Sequence, residues 1–428
     1  MSATHEKGMQ AFRSVMDAPI ASFFASCVHC GLCAEACLFY TETGDPKYTP
    51  IYKLEPLKKF WRREYTLVGK LMGLVGIGAT VRDKELAEWS ELVYDSCTMC
   101  GRCSMVCPVG NDLTYMIRKM REGMAVAGHA PDGLRGATQR AIELGSPMGV
   151  KLETLQAQIR HQEKDTGLKV PLDAEGADYM VLLSSMETVN FPEYIGALAR
   201  IFDKAGVSWT IASEAFEATN SGIQIGVSDL AKVLVQRIVD AAERLKVKYV
   251  ISPECGHAYT ALRWEGPNLI GKPYTFEVVH ILELLEQLKR AGRLRTSGKD
   301  ERKITFHDPC QIVRRGGVLQ QPRELLGSVA ADFREMPDGG VMNWCCGGGG
   351  GVSANDRAEE LRLKAFNRKK RQVEATGAGT LVTACANCRI VLEEGLEHNE
   401  MNIEVVGLTE LIAEYLTDDQ PAAAGGEA

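Results

Sequence analysis

The sequence predicts an α+β protein of several domains, in which a helical part is followed by a duplicated α/β part. Three observations favour this fold class. The chain has 428 residues, which is too long for one ordinary hydrophobic core. Its N-terminal third carries two similar four-cysteine motifs among amphipathic segments. The remainder alternates short apolar runs with helical patterns, and this alternation occurs twice.

Composition and charge limit the classes of function. A formal net charge of -7 and a pI near 5.8 give no electrostatic reason to expect a nucleic-acid partner. The first residues lack the basic start and apolar core of a secretory signal, so we predict a cytoplasmic protein. The apolar stretch at residues 67–81 contains Lys70 and is shorter than the roughly 20 residues that a membrane span needs. We predict a packed helix or hinge there rather than membrane contact, and any membrane association would come through a partner subunit.

The 14 cysteines point to metal binding. Cytosolic thiols are kept reduced, so a disulfide framework is not expected. Eight of them form two copies of the C-x2-C-x2-C-x3-C spacing of bacterial ferredoxins, in which each loop wraps one cubane and lends its last thiolate to the other. The sequence therefore predicts two cubane [4Fe-4S] clusters. Their crossed ligand sets would be Cys27, Cys30, Cys33 and Cys107 for one cluster, and Cys97, Cys100, Cys103 and Cys37 for the other.

The surroundings of the eight cysteines agree with this prediction. Gly31 and Gly101 stand between the second and third cysteines, where a tight turn is needed. Pro108 follows the second motif as expected, while Leu38 replaces proline after the first, which changes the chain exit but not the ligands. Zinc is the alternative metal, but zinc ribbons use two separated cysteine pairs, so we favour iron. We expect residues 1–135 to form a helical, ferredoxin-like domain that relays electrons.

The predicted strands and helices then define two related halves. After a linker at residues 136–176, the runs "YMVLLSS", "SWTIAS" and "KYVISPE" read as strands, and "KITFHD" and "TLVTACANC" begin the pattern again. Each half ends in a similar strand and helix, "FEVVHILELLEQL" and "IEVVGLTELIAEYL". We predict α/β half-domains at residues 177–300 and 301–416, with a flexible tail at 417–428. Parallel sheets of this kind place ligands at the carboxyl ends of their strands.

Five further cysteines fall in the second half, two of them directly after predicted strands. They form the pattern C-x34-CC-x38-C-x2-C and are Cys310, Cys345, Cys346, Cys385 and Cys388. Five thiols exceed what one cubane or one zinc ion needs. The pattern resembles the CCG domain of heterodisulfide reductase catalytic subunits. The resemblance implies that these five cysteines bind a noncubane [4Fe-4S] cluster.

A run of five glycines follows the double cysteine in "NWCCGGGGG". We expect Gly347, Gly348 and Gly349 to form a loop without side chains that lets the backbone approach the cluster. A phosphate-binding loop is the weaker interpretation, because no Lys-Ser or Lys-Thr follows. The first half keeps only Cys255, in "SPECGHAY", so we predict a degenerate CCG half-domain without its own cluster. It would contribute Cys255 and His257 to a shared cleft.

The resemblance extends over essentially the whole chain. A part similar to the C subunit of heterodisulfide reductase is followed by a part similar to the B subunit, as in the fused D subunit. The motifs "ECGHA" and "WCCGGGGG" resemble those of DsrK-type subunits of bacterial sulfur metabolism. The iron-sulfur subunits of glycolate, lactate and glycerol-3-phosphate oxidation share the architecture, but their motifs are less similar to this glycine run.

The first functional hypothesis is catalysis on sulfur. The chain would convert disulfide, persulfide or thiol sulfur on a small thiol or a sulfur-carrier protein, with electrons passing through the two cubanes. His307 and His257 are the candidate proton carriers, and Cys255 is a candidate reactive thiol. Each of these roles has a structural alternative. In these alternatives His307 is a structural residue before a helix that Asp308 caps, and Cys255 is a small buried residue. The basic run at residues 368–371 is interpreted as a solvated helix face, with docking of an acidic carrier as the alternative.

The second hypothesis is an electron conduit from a flavin dehydrogenase to quinone. No flavin or nicotinamide fingerprint is found in the sequence, so we expect neither flavin nor NAD on this chain. Under both hypotheses another subunit supplies or accepts the electrons. The resemblance implies an HdrA-like flavoprotein or a cytochrome-b-type membrane subunit as that partner.

Overall fold

The fold consists of two compact units in a computed structural model that describes residues 3–75 and 83–417. The chain enters each unit more than once. The first unit comprises Met1–Arg135, Ile223–Ser228 and Gly347–Arg368, and the second comprises Gly136–Gly222, Asp229–Cys346 and Lys369–Ala428. All but the first residue of the predicted tail at residues 417–428 lies outside the described residues.

The first unit is built around short helices. They are α1 (Ala3–Ser14), α2 (Ala18–Ser26), α3 (Leu32–Glu35), α4 (Leu38–Thr43), α5 (Pro50–Lys53), α6 (Glu55–Tyr65), α7 (Leu67–Leu74), α8 (Asp83–Ser90), α9 (Arg102–Met105), α10 (Leu113–Val126) and the start of α11 (Asp132–Leu144). Caps explain several starts, since Asp17 accepts a hydrogen bond from Ile20 N and Asp112 from Thr114 N. Apolar side chains of α1, α6 and α10 form the core between the two cysteine motifs, with Phe12, Leu57 and Met120 fully or almost fully buried.

Helix α7 departs from the prediction for residues 67–81. A helix does form there, over Leu67–Leu74, while residues 76–82 lie outside the described residues. Of the two predicted alternatives, the packed helix is wrong for the described part, because none of the side chains of α7 is buried, and the hinge stays a prediction.

Two four-stranded sheets, both entirely parallel, form the centre of the second unit. The strands are β1 (Tyr179–Val181), β2 (Trp209–Ile211), β3 (Tyr249–Ser252), β4 (Glu277–His280), β5 (Asp300–His307), β6 (Ala330–Arg334), β7 (Thr380–Thr383) and β8 (Glu404–Gly407). The strand orders are β2-β1-β3-β4 and β6-β5-β7-β8. The same order in both sheets is that of a duplicated unit, and the α+β class with a helical N-terminal part is confirmed.

Helices join and cover these strands. They are α12 (Leu152–Thr166), α13 (Ser185–Val189), α14 (Glu193–Ala205), α15 (Ser221–Ile225), α16 (Ser228–Leu245), α17 (Gly256–Thr260), α18 (Gly266–Ile270), α19 (Ile281–Arg290), α20 (Cys310–Val313), α21 (Gln321–Val329), α22 (Glu359–Thr376), α23 (Ala386–His398) and α24 (Leu408–Glu414). Within the predicted linker at residues 136–176 the structure has most of α11 and all of α12. Strand β6 was not apparent in the sequence, because its run "AADFR" carries no continuous apolar pattern.

Strands β1, β3 and β7 are short and almost completely buried, which is typical of parallel sheets covered on both faces. The start of β5 and most of β6 are more exposed. In the second sheet β5 lies between β6 and β7, and His307 at the end of β5 is in register with Thr383 at the end of β7. The loops that leave these two strands therefore start side by side. This places the residues after His307 and Thr383 at one edge of the sheet.

Candidate metal centres

The two N-terminal cysteine motifs have nearly the same backbone conformation. In each loop the residue before the second cysteine has a positive φ, 56° at His29 and 54° at Met99. The following glycines, Gly31 and Gly101, have φ of 84° and 81° and precede the short helices α3 and α9. Residues with a side chain rarely adopt this left-handed backbone conformation, so glycine is favoured where the loop reverses. The predicted tight turns are present in both loops.

The sulfur atoms of these motifs fall into two groups of four across the motifs. The thiol of Cys33 interacts with those of Cys27, Cys30 and Cys107, and burial together with these neighbours raises the pKa of Cys33 to about 11. The thiol of Cys103 interacts with those of Cys37, Cys97 and Cys100, which together form the second group of four, and burial raises the pKa of Cys103 well above its usual value. The structure thus brings together the same two sets that the crossed ferredoxin spacing predicts. Ordinary thiols would resist such crowding as anions, whereas iron would compensate their charge.

A buried lysine, Lys53, lies beside the second of these groups. Its side chain is almost completely buried, and its ammonium group donates to Cys37 Sγ at 3.5 Å and to the backbone carbonyl of Ser96. An enclosed, mainly apolar cavity is lined by all four thiol residues of this group and by Lys53. A cavity surrounded by four thiols and one buried cation fits a thiolate-bound cluster, which carries net negative charge. No sequence motif points to Lys53 as part of this site.

Arg121 connects the second cysteine motif with the glycine run inside the first unit. The guanidinium group is fully buried and donates to the backbone carbonyls of Val93, Cys97, Gln224 and Gly350, at 2.6 to 2.9 Å. No carboxylate is among these acceptors. Arg121 therefore holds the loop that carries Cys97 through hydrogen bonds to carbonyl groups alone. Like Lys53, Arg121 belongs to no sequence motif that points to a role at the site.

The glycine run has a packing reason of its own. Gly350 has a φ of +62°, and a Cβ atom there would lie 2.8 Å from the carbonyl carbon of Thr98. Gly351 has a φ of +84°, and a Cβ atom would lie 3.0 Å from the side chain of Leu134. These two glycines are required by close contacts within the first unit. Gly347 also has a positive φ, of +104°.

The five cysteines of the second half converge in the second unit. All five are buried. The sulfur atoms of Cys310 and Cys345 lie 3.8 Å apart, and those of Cys346 and Cys388 lie 3.5 Å apart. The thiolate of Cys385 accepts a hydrogen bond from the backbone N of Cys388 at 3.4 Å. Hydrogen bonding from the Cys388 thiol is the main cause that lowers the pKa of Cys385. The convergence expected from the sequence is therefore present.

Strand ends produce this convergence. Cys310 is the first residue of α20, three residues after β5 ends, and Cys385 caps α23 two residues after β7 ends. The alternative in which Asp308 caps α20 is wrong, because Pro309 occupies the cap position. Asp308 instead accepts hydrogen bonds from Arg323 Nη2 at 2.8 Å and from the backbone N of Gly340 at 2.7 Å. Asp308 thereby fixes the turn that carries Cys310.

His307 lies inside the five-cysteine site. Its ring is fully buried, and neither ring nitrogen has a hydrogen-bond partner. The ligand atoms of His307, Cys346 and Cys388 lie within 4.8 Å of one another. Burial, assisted by the nearby Lys369 ammonium, holds the pKa of His307 well below its usual range. The imidazole is therefore neutral, and its unpartnered nitrogens leave room for a bound group.

Lys369 is a buried cation beside the five-thiol site. The basic run at residues 368–371 was interpreted as a solvated face, yet Lys369 is only 2% exposed. Its ammonium group donates to Gln372 Oε1 at 2.6 Å and lies 3.7 Å from Met336 Sδ. It interacts electrostatically with Cys346, and more weakly with other thiols of the site. Burial lowers the pKa of Lys369 to about 8.

The first half-domain reaches the same site through one short segment. Cys255 is half-buried, and its thiol interacts with that of Cys385, which together with burial raises the pKa of Cys255. Next to it, a Cβ atom on Gly256 would lie 2.5 Å from the Cβ of Gln311, so only glycine lets α17 approach α20 this closely. His257 follows on the same helix and is half-buried. The structure thus brings Cys255 beside the five-cysteine site.

Buried carboxyl groups anchor this segment. Glu254 Oε1 accepts hydrogen bonds from the backbone N and the hydroxyl of Thr409, at 3.0 and 2.6 Å. Glu187 accepts from the backbone N of Glu254 at 2.9 Å, and burial raises the pKa of Glu187 to about 8. Ala386 N donates to the backbone carbonyl of Glu254 at 2.9 Å. The end of β3 is thereby tied to the residues that follow β7 and β8.

The donor chemistry fits iron-sulfur clusters. None of the 14 cysteines forms a disulfide bond, and 13 of them gather in three groups of four, four and five. Two of these groups have a buried lysine nearby. Residues 24–111 match the family model of the 4Fe-4S dicluster domain, and residues 304–393 match that of the cysteine-rich CCG domain. The first range contains eight of the grouped cysteines and the second the other five.

Comparison with curated proteins gives relatives over most of the chain. It is 27% identical over 445 residues to Hdr-like menaquinol oxidoreductase iron-sulfur subunit 2 of Archaeoglobus fulgidus, covering 92% of this chain and 80% of that protein. It is 28% identical over 401 residues to the D subunit of the dihydromethanophenazine:CoB--CoM heterodisulfide reductase of Methanosarcina barkeri, covering 91% and 93%. The predicted resemblance to heterodisulfide reductase-like iron-sulfur proteins is confirmed. A third relative, EtfAB:quinone oxidoreductase of Syntrophomonas wolfei, is 28% identical, covering 88% of this chain and 55% of that protein.

Over most of its length the chain is thus similar to Hdr-like iron-sulfur oxidoreductase subunits, and its two matched domains support a role in electron transfer. In the described residues, no helix combines the length and the apolar character that a transmembrane span requires.

Proposed function

We propose that this chain is the catalytic and electron-transfer subunit of an Hdr-like complex that interconverts disulfide or persulfide sulfur and thiols. The substrate would be a small thiol or a sulfur-carrier protein in sulfur metabolism, as the resemblance to DsrK-type subunits implies. The convergence of five buried thiols at the strand ends of the second sheet carries this proposal. A group used only for electron transfer has no need of a fifth thiol or of unpartnered imidazole nitrogens beside it.

The ligand assignment follows the three thiol groups. Cys27, Cys30, Cys33 and Cys107 would hold one cubane, and Cys97, Cys100, Cys103 and Cys37 the other. Cys310, Cys345, Cys346, Cys385 and Cys388 would hold a noncubane [4Fe-4S] cluster, with Gly347, Gly348 and Gly349 following in the loop. Bound there, the noncubane cluster would supply single electrons and an iron atom that can take a substrate sulfur.

The residues of the chain would manage protons and geometry. Reducing a disulfide breaks one S–S bond, consumes two electrons and two protons, and releases two thiols. His307 is buried and neutral, so it would pass a proton from its N–H group and take one up in return. His257 would serve the leaving thiolate on the side of the first half-domain. Cys255 would be the protein thiol placed to exchange with substrate sulfur.

Partners follow from the same chemistry. Electrons would arrive or leave through an HdrA-like flavoprotein or a cytochrome-b-type membrane subunit, and the complex would work in the cytoplasm or at the membrane through such a partner. The names of two relatives, a menaquinol oxidoreductase subunit and an EtfAB:quinone oxidoreductase, support a second candidate function. In that function the chain conducts electrons from a flavin dehydrogenase to quinone, and the five-thiol site binds no substrate.

Electron paramagnetic resonance separates the two functions. The full chain, purified anaerobically, should contain about twelve irons, four for each of three clusters. Adding a thiol to the oxidised protein should produce a new paramagnetic species that broadens with iron-57. This species should disappear in Cys345→Ser and persist in Cys255→Ser, which removes a thiol outside the five. Spectra that do not respond to thiols would favour the conduit, and about eight irons or bound zinc would refute the three-cluster assignment.

A further inference from the structure

Helix α7 presents an apolar surface that none of the described residues of the first unit covers. Leu67 is 82% exposed and Leu74 is 83% exposed. A folded protein rarely leaves so many apolar side chains together in water unless the patch contacts a partner or a membrane. The exposed apolar side chains are those of Leu67, Val68, Leu71, Met72, Leu74 and Val75.

The exposure follows from how α7 is attached. A Cβ atom on Gly69 would lie 2.0 Å from the carbonyl oxygen of Arg62, so the backbones of α6 and α7 are in contact at this glycine. Thr66 caps the helix by accepting a hydrogen bond from Gly69 N at 3.1 Å. At about 100° per residue, the six apolar side chains fall within an arc of roughly 160°, and Gly69 lies outside that arc. The side of α7 that carries Gly69 therefore contacts α6, and the apolar arc faces solvent.

Charge and aromatic residues flank this arc. Between residues 62 and 75 there are three basic residues, Arg62, Arg63 and Lys70, and one acidic residue, in a chain whose net charge is -7. Trp61 stacks on the 41%-exposed Tyr65, with ring centroids 4.9 Å apart. Basic residues and Trp or Tyr beside an exposed apolar helix are typical of segments that lie in the headgroup layer of a membrane.

We propose that α7 lies in the surface layer of a bilayer that contains anionic lipids, with its apolar arc among the acyl chains and Arg62, Arg63 and Lys70 at the headgroups. Eight residues are too few to span the bilayer, so the helix lies along the surface. A wide convex arc suits fluid acyl chains better than a protein groove, which takes a narrower stripe. The chain then contacts the membrane directly and does not depend on a partner subunit for it. This inference is independent of which substrate the five-thiol site accepts.

Vesicle binding tests the proposal with the full chain loaded with its clusters. The protein should co-sediment with phosphatidylcholine vesicles that contain about 30% phosphatidylglycerol, and much less of it should co-sediment with pure phosphatidylcholine vesicles. The triple variant Leu67→Ser, Leu71→Ser and Leu74→Ser should bind at least about tenfold more weakly. A matched control, Leu144→Ser with Val233→Ser, removes apolar side chains that are 54% and 45% exposed in the other unit and should bind as the wild type does.

A charge variant checks the second half of the proposal. Arg62→Gln, Arg63→Gln and Lys70→Gln together should lower binding by about fivefold per residue and remove most of its dependence on salt and on phosphatidylglycerol. Failure of the wild type to bind these vesicles at low salt would overturn the proposal. So would equal binding by the wild type and the triple serine variant. A dimer by light scattering that the serine changes abolish, without vesicle binding, would assign the face to a second copy of this chain.

Discussion

Replacing Lys369 by methionine removes one buried positive charge from the five-thiol site at nearly constant side-chain volume. Lys369 is 2% exposed, and its ammonium group interacts more strongly with Cys346 than with the other thiols of the site. A reduced cluster carries one more negative charge than an oxidised one, and a buried cation stabilises that charge. We therefore expect Lys369→Met to make the reduction potential of the C-terminal cluster more negative.

The magnitude follows from Coulomb's law. One charge at roughly 7 Å, in a protein with an effective dielectric constant of about 20, contributes about 2.4 kcal/mol. For a one-electron step this is about 100 mV, since a tenfold change in the equilibrium constant corresponds to about 59 mV. The two N-terminal clusters should keep their potentials, because the thiols that interact with Lys369 are those of the five-thiol site.

An anaerobic redox titration followed by paramagnetic resonance measures these potentials. Lys369→Arg keeps the charge and should stay within about 30 mV of the wild type. Lys364→Met removes an exposed lysine from the same helix and should change nothing measurable. The reasoning is refuted if Lys369→Met keeps the wild-type potential at unchanged iron content, or if the arginine variant shifts as far as the methionine variant.

Three further changes test the geometry. Arg121→Met leaves four buried backbone carbonyls without their donors, at a cost of about 1–3 kcal/mol each. The midpoint of thermal unfolding should therefore fall by several degrees, and iron should be lost from the first unit. A melting temperature equal to that of the wild type would contradict this. Gly256→Ala should cost about 1–3 kcal/mol by overpacking against Gln311, whereas Gly327→Ala, with open space around it, should cost little in the same denaturant titration. Burial raises the pKa of Glu410 from 4.5 to about 7, so its contribution to stability is present below about pH 4.5 and is lost as the pH rises through 7. Glu410→Gln should flatten that part of the stability profile, and an unchanged slope would exclude the carboxyl as its source.

The N-terminal thiol groups could be predicted because their geometry is local. Three cysteines at three-residue intervals fit one short loop, and the glycine after the second one sets the turn. The crossing of Cys37 and Cys107 between the groups follows from the ferredoxin spacing, and the structure places both sulfurs accordingly. Most strands are equally visible, because buried parallel strands are continuous apolar runs. Strand β6 is the exception, since its run "AADFR" is not continuously apolar.

The two buried lysines, Lys53 and Lys369, were not predicted to be buried, although for Lys369 the sequence contains a pattern that indicates it. Lys369 stands in a run of four basic residues, which favours solvent exposure on charge alone. However, Arg362, Ala365, Phe366 and Val373 are also buried on α22, and these positions recur at the spacing of one helix face. Lys369 lies on that face, so periodicity outweighs composition here. Lys53 offers no such pattern, because α5 has only four residues.

The three thiol groups differ in how far they are exposed to solvent. Cys30 of the first group is exposed, and its neighbours Val28 and Leu32 are 73% and 49% exposed. The second group has Lys53 buried beside it, and all five thiols of the third are buried. Electron transfer between proteins needs a close approach to one cluster, whereas sulfur chemistry benefits from a site that excludes water. Under the proposed function, the first group would be the one that an external electron carrier approaches, beside the exposed side chains of Val28 and Leu32.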